Sequence, residues 1–339
     1  MAVSGREYAF GPVVRLRVVG AWPARSHFER EYGPAVETGG PAAVEVDVRY
    51  RSRLRGGSQS RSVAGGHKTA RWRVALGDPA QRPLHAEIEL AGGPPAFALS
   101  LVQGFYVEPL VAVALARSGQ IALPSAGIVA GAGAIVILGR SGTGKSSVSV
   151  RALASGRAIL GDDQIVVDGT GRCWPFPRRL RLYPDVRETA PEGWSRLAPR
   201  TRAALVLRRR VRTWSRGYVA PSLPVPASEL SPAAPPAPLA AARLVVVERA
   251  ADVDDIVEVT RDADWAVQRA SDVLAEQRAR FAAAAGVRWR TVLDDVARGE
   301  AGSLRSWLAG PSITEVRLPR SWDAPRAVDA LATRLGIEH

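Results

Sequence analysis

Two short stretches of this sequence carry residue types and spacings that can do chemistry. Gly139, Arg140, Ser141, Gly142, Thr143, Gly144, Lys145 and Ser146 run consecutively and fit G-x-x-x-x-G-K-[ST], the pattern of a loop that cradles phosphate groups. Gly142 and Gly144 permit positive φ and leave room for phosphate oxygens. Successive N–H groups of such a loop form a concave nest, and a helix starting there adds the partial positive charge of its N-terminus. The candidate phosphate-binding set is Gly139, Ser141, Gly142, Thr143, Gly144, Lys145, Ser146 and Ser147. Lys145 can reach the β- and γ-phosphates of a nucleotide, and the Ser146 hydroxyl can hold Mg²⁺. The chain has 46 Lys plus Arg, of which only Lys68 and Lys145 are lysines. A compact ammonium fits between phosphates where a wide guanidinium fork does not, so this exception points to a required lysine.

The second stretch is Asp162-Asp163, 17 positions after Lys145. Two adjacent carboxylates beside bound phosphates can divide the work. One can hold Mg²⁺ together with Ser146 and phosphate oxygens, and the other can accept a proton from an attacking hydroxyl. Asp254-Asp255 and Asp294-Asp295 are also acidic pairs, but they stand in polar contexts that read as solvated surface. Asp162-Asp163 is flanked by apolar, strand-like sequence and preceded by the glycine-rich loop.

The elements that must position these groups are legible around them. Ala134 to Leu138 is a short apolar run rich in β-branched residues, which predicts a buried strand leading into the loop. Ser146 to Ser155 predicts a helix, with Gly156 to cap it. Arg157 to Val167 predicts a strand, the acidic pair and a second strand, and Asp168-Gly169-Thr170-Gly171 predicts a hairpin turn before a return strand at Arg172 to Trp174.

With 339 residues, 46% hydrophobic and 23% charged, the chain can bury a sizeable core in two domains. No apolar run is expected to reach membrane-spanning length, and Met1 to Glu7 has no apolar signal region. A single cysteine, Cys173, excludes an internal disulfide and reads as a small buried thiol. His27, His67 and His85 are scattered rather than clustered for a metal. The expectation is a cytoplasmic protein without membrane attachment. A net charge of +13 suits anionic partners, yet the RNA-binding motifs with interleaved aromatics are missing, so a nucleotide is favoured over nucleic acid.

Residues 1–105 read as a β-rich domain, an antiparallel sheet or small barrel, because Val13 to Val19, Val44 to Tyr50, Ala70 to Leu76 and Leu84 to Leu90 alternate apolar with polar. Gly56-Gly57-Ser58 and Gly65-Gly66-His67 read as turns or loops. Residues 106–339 form the second domain. It opens on an amphipathic helix at Phe105 to Ser118, with Gln120 to Leu123 and Gly127 to Val129 expected as strands beside the one that feeds the loop. Leu244 to Glu248 and Ile313 to Leu318 predict further strands, and Trp265 to Ala284 and Ala324 to Leu335 predict helices. Residues 183–241 hold a run of arginines from Arg200 to Arg216, with Trp214 and Tyr218, followed by a Pro- and Ala-rich piece. They read as a loop or lid, mobile from Arg200 to Arg216 without substrate.

The loop, the short helix after it and Leu160-Gly161-Asp162-Asp163 together resemble the catalytic domain of HPr kinase/phosphorylase and its related kinases, a fold shared with phosphoenolpyruvate carboxykinases. Trp174-Pro175-Phe176-Pro177-Arg178 and the strand Leu244 to Glu248 are similar to the same group, so the likeness spans Phe105 to Glu248. The early acidic pair is its specific part. In other P-loop ATPases the Mg²⁺-binding carboxylate comes much later in the chain. The resemblance implies an α/β fold with a P-loop kinase core and a smaller β-rich N-terminal domain. It also implies phosphoryl transfer from ATP, with Mg²⁺, to a hydroxyl. By the same likeness Asp163 is the base, Asp162 supports it or holds the metal with Ser146, and Arg178 binds phosphate or substrate. The two aspartates' roles could be exchanged. Related enzymes assemble into multimers, which implies a homo-oligomer.

The chain departs from that group in two respects. Leu123-Pro124-Ser125-Ala126-Gly127 has no histidine where the family usually carries one, and the long acceptor-contacting signature of true HPr enzymes is missing. The acceptor is therefore expected to be a peptide or protein serine, or a small molecule, rather than HPr. Related proteins that tailor ribosomally made peptides, such as lasso peptides, give the closest role. The alternative class is a non-catalytic or weakly hydrolysing nucleotide sensor. A decarboxylating kinase is disfavoured because no His/Lys metal set accompanies the acidic pair.

Overall fold

The computed structural model describes residues 5–33, 41–54, 62–214, 222–232 and 237–337. The chain divides into two units: Met1–Ile121 with Ala275–Gly302, and Ala122–Leu274 with Ser303–His339. The class is mixed α/β. The expected division at residue 105 falls inside a continuous helical run and so does not separate two bodies. A stretch from beyond residue 274 also belongs to the first unit.

The first unit contains β1 (Arg6–Phe10), β2 (Val14–Val19), α1 (Ala24–Tyr32), β3 (Val44–Arg51), β4 (Ser62–His67), β5 (Ala70–Leu76) and β6 (Leu84–Ala91). After them come α2 (Pro95–Val102), a π-helical turn (Gln103–Val107) and α3 (Glu108–Arg117). The strands form one sheet in the order β1-β2-β3-β6-β5-β4. Alternation correctly marks the strands, but the sheet is mixed rather than antiparallel: β2–β3 and β3–β6 are parallel. Alternation reports which face is buried, whereas strand direction is set by the connections, here α1 between β2 and β3 and the β4–β5 excursion between β3 and β6. Gly65 and Gly66 lie in β4 rather than in a turn. A Cβ at Gly65 would collide with the Trp72 indole across the strand pair, so a bare backbone is what lets β4 pass that ring. Gly56-Gly57-Ser58 lies outside the described residues.

The run Pro95–Arg117 corrects two expectations. It is long and apolar enough to cross a membrane by length and composition, and 78% of its most apolar window is buried inside the protein, as for a core helix. It is also not amphipathic, since Glu108 to Leu115 is buried on every side. The π-helical turn brings polar groups into this interior. His27 Nε2 and Gln103 Oε1 are 2.7 Å apart, and Gln103 Nε2 donates to Glu108 Oε1 at 2.9 Å.

After β7 (Gln120–Leu123), which straddles the two units, the second unit holds β8 (Ser125–Ala130), β9 (Gly133–Gly139), α4 (Lys145–Ala154), β10 (Ile159–Gly161), β11 (Ile165–Asp168), β12 (Arg172–Pro175) and β13 (Leu180–Leu182). Next come α5 (Val186–Thr189), α6 (Pro191–Arg196), α7 (Pro199–Trp214), β14 (Leu223–Val225), β15 (Leu239–Ala250) and β16 (Val257–Thr260). Helices α8 (Ala263–Ala284) and α9 (Val287–Trp307) each belong partly to both units, and β17 (Ser312–Pro319) and α10 (Ala324–Arg334) close the chain. A nine-stranded sheet runs β10-β8-β9-β15-β12-β11-β7, with β17 paired to β15 and β16 to β17. At its centre β15 is parallel to both β9 and β17. Parallel central strands are covered on both faces, which is why Ala134 to Leu138 and Leu244 to Val247 are unbroken apolar runs. β8 flanks β9 as expected, but β7 lies at the edge beside β11.

Helix α4 is held from two sides. Val148 and Ala152 join Val245, Val247, Val316 and the α10 residues Val328, Leu331 and Leu335 in one cluster. Val150 and Leu153 join Leu180, Leu182, Val186, Leu205 and Val225 in another. The 183–241 stretch contains α5, α6, α7 and β14, so Pro199–Trp214 is helix rather than loop, with Thr201 and Leu205 buried and Leu205 in the second cluster. Arg216, Tyr218 and part of the Pro/Ala-rich piece lie outside the described residues. Truncating Leu331, which is fully buried between α10 and the sheet, is expected to destabilise the second unit by about 2–5 kcal/mol. Denaturant unfolding of Leu331→Ala checks this, and an unchanged midpoint contradicts the packing described.

Candidate functional site

The strand–loop–helix around Lys145 follows directly from the local sequence. β9 ends at Gly139, the loop turns through Gly142 (φ 86°) and Gly144 (φ 97°), and α4 begins at Lys145. Gly144 combines that left-handed backbone with a close neighbour: an added Cβ would stand 3.1 Å from Val328 Cγ2. Thr143 is buried and braces the turn by donating to the Arg140 carbonyl at 2.9 Å. Ser141 and Gly142 are exposed at the tip, and Ser146 and Ser147 are half-buried in the first turn of α4. Ser147 Oγ lies 3.0 Å from Thr189 Oγ1, which ties the helix start to α5.

Lys145 Nζ donates to the carbonyls of Gly139 and of Arg140, the latter at 2.9 Å. The ammonium is thereby held over the loop's own backbone. Burial pushes its pKa down, and the charges of Asp163 and Asp162 push it back up, so the acidic pair lies within electrostatic reach of Lys145.

The two aspartates sit in opposite environments. Asp162 is buried, and its Oδ2 accepts the Arg181 backbone N–H at 3.0 Å. Burial, then the neighbouring Asp163 charge, pushes its pKa up to about 6. Asp163 is exposed, and Arg178 Nη1 stands 3.2 Å from its Oδ2. The pair forms because the chain turns sharply between β10 and β11, with one carboxylate facing inward and the other outward. Asp254, Asp255, Asp294 and Asp295 are all exposed, consistent with solvated surface charge.

Lys145, Asp162, Asp163 and Arg178 thus lie in one neighbourhood. Sequence reasoning missed Tyr183, whose phenol pKa is raised by burial first and by Asp163 next. It also missed Arg181, which supplies the N–H on Asp162, and Thr189. Nothing in the sequence around these residues signals them; they reach the site because β13 and α5 pack against α4. Arg151 of α4 is buried, donates to the Thr189 carbonyl at 2.6 Å and pairs with Asp329, which fixes the helix further along.

Chemically the arrangement offers a helix N-terminus with an ammonium beside it, an inward carboxylate whose charge is costly, and an outward carboxylate paired with a guanidinium. Among the described residues no group of three or more His, Cys, Asp or Glu could hold a metal ion by itself. No protein-family model matches the chain, and no curated protein matches it.

The raised Asp162 pKa fixes the sign of a stability effect. The folded state holds the proton more tightly than the unfolded chain, whose value is near 3.8. Stability is therefore highest below that value, falls as the pH rises towards about 6, and carries the full penalty above it. A shift of this size corresponds to about 3 kcal/mol. Asp162→Asn is expected to raise stability at pH 8 and to lose that gain by pH 4. Unfolding at the two pH values checks this, and an equal gain at both would rule out the buried charge as its source.

Proposed function

We propose that this chain is an ATP-dependent phosphotransferase of the HPr-kinase type, acting on a hydroxyl of a peptide or protein serine or of a small molecule. The observation that carries the reading is the loop geometry: α4 starts at Lys145 directly after the left-handed Gly142 and Gly144, and the Asp162–Asp163 turn lies within electrostatic reach of the Lys145 ammonium. The groups that would grip a triphosphate thereby lie near those that would activate an acceptor. Tailoring of a ribosomally made peptide is the role in keeping with the resemblance.

In this reading the N–H groups of the loop and the start of α4 bind the β- and γ-phosphates, with Lys145 supplying charge. Mg²⁺ would rest on the Ser146 hydroxyl and the Asp162 carboxylate. Both are hard oxygen donors, and Mg²⁺ characteristically takes one or two carboxylates and completes its shell with phosphates and water. Asp162 suits that place because a nearby cation offsets the charge that burial makes costly. A divalent ion there would neutralise charge on the transferring group. Asp163, on the exposed side, takes the acceptor's proton. The acceptor oxygen forms its bond to the γ-phosphorus as the bond to the β–γ bridging oxygen breaks, and ADP departs. Arg178, paired with Asp163 in the free protein, would bind a phosphate oxygen or the substrate in this reading.

Lys145→Ala is expected to weaken ATP binding by at least about tenfold, and Asp163→Asn to keep binding while losing about 100-fold or more in transfer. Binding is read by calorimetry. Transfer is read by mass spectrometry of a peptide and metabolite pool incubated with ATP and Mg²⁺. Normal ATP consumption by Lys145→Ala would end the phosphotransferase reading. Tight ATP binding with no phosphorylated species, and no effect of Asp163→Asn, would replace it with a nucleotide sensor.

A further inference from the structure

Helix α7 presents an outer face that the phosphate-binding reading leaves unused. Thr201 and Leu205 face inward, Leu205 within the cluster that also holds α4. The opposite side carries Arg200, Ala203, Leu207, Arg210 and Trp214, all exposed, with Leu207 at 60% and Trp214 at 89% exposure. Their spacing is three, four, three and four residues. That is the a/d repeat of a helix–helix seam, which keeps all five side chains on one stripe. Large exposed apolar side chains are few among the described residues, and two of them lie on this stripe, two helical turns apart with Arg210 between them. Isolated surface apolar residues need no explanation, whereas a regular row of them on a firmly anchored helix does.

We propose that this face docks an acidic amphipathic helical segment of a peptide or protein partner, apolar residues meeting Leu207 and Trp214 and carboxylates meeting Arg200 and Arg210. Charge decides the occupant. A second copy of the same face would set arginines against arginines, so self-pairing is opposed. A nucleic acid would satisfy the arginines but leave Leu207 without an apolar partner, and its phosphates would also approach Glu188, which pairs with Arg209 at 3.0 Å on the flank of the helix. A helical peptide meets the row, the spacing and the charge together.

The face is mechanically joined to the loop. Arg209 pairs with Glu188 of α5, and the next residue, Thr189, lies 3.0 Å from Ser147 at the start of α4. The docked segment is thus the acceptor's recognition element, a step that rests on the phosphotransferase reading, although the docking itself does not.

The probe is a fluorescein-labelled peptide two heptads long, with Leu at the a and d positions and Glu at the flanking ones, read by anisotropy. It is expected to bind the full chain, and Arg210→Glu and Trp214→Ala are each expected to weaken binding by about tenfold. The same peptide with Lys in place of Glu is expected not to bind. Both substitutions lie on the surface, and an unchanged unfolding midpoint and unchanged ATP binding confirm that they act only at the face. No binding, or binding indifferent to both substitutions, overturns the proposal. So does a preference for oligouridylate or phosphatidylserine vesicles over the peptide that the same substitutions remove. Lys145→Ala separates the two readings: peptide binding that persists when ATP binding is lost supports docking alone, and docking can fail while phosphotransfer stands.

Discussion

The inward carboxylate of Asp162 is the interaction on which much of the second unit's local order depends. A buried charge is tolerated only with partners, and here the partners arrive from separate places: the Arg181 N–H from β13, and the Arg178 and Lys145 charges from either side of it in sequence. To bring β13 within hydrogen-bond distance of the β10–β11 turn, the chain must run beneath α4, where Leu180 and Leu182 pack against Val150 and Leu153. The apolar cluster and the polar contact are two sides of one placement. Holding such a charge costs stability, and a strained carboxylate of this kind is a feature of functional sites more often than of plain structural ones.

The second constraint is the direction of α4. Helix α4 is not free to roll, because it has two apolar residues on each flank. Val148 and Ala152 face α10 and the sheet, while Val150 and Leu153 face β13, α5 and α7. Arg151 adds a polar anchor through Thr189 and Asp329. The loop then inherits its orientation from the helix that follows it and from β9 before it. Left-handed glycines absorb the turn between them.

Much of this was legible in the sequence, and what was not has a physical reason. The loop, its strand, its helix and the acidic pair are local patterns, and each follows from residues within a few positions of one another. Strand direction in the first sheet is not local, so alternation at Val44 to Tyr50 gave the faces of β3 but not its parallel neighbours. The arginine-rich stretch hides its helix because charge density suggests solvation, while just two of its residues, Thr201 and Leu205, are buried. Tyr183 and Arg181 joined the site through packing of elements distant in sequence from the loop.

The interleaving of the two units has a consequence for how the molecule is made. Residues 275–302 complete the first unit, but they leave the ribosome only after residues 122–274 have been synthesised. The amino-terminal sheet therefore emerges early and waits, without its last helical pieces, while nearly all of the second unit's strands are produced. The second unit in turn lacks β17, the parallel neighbour of its central strand β15, until after residue 302, so each unit receives a piece of its core late in vectorial synthesis.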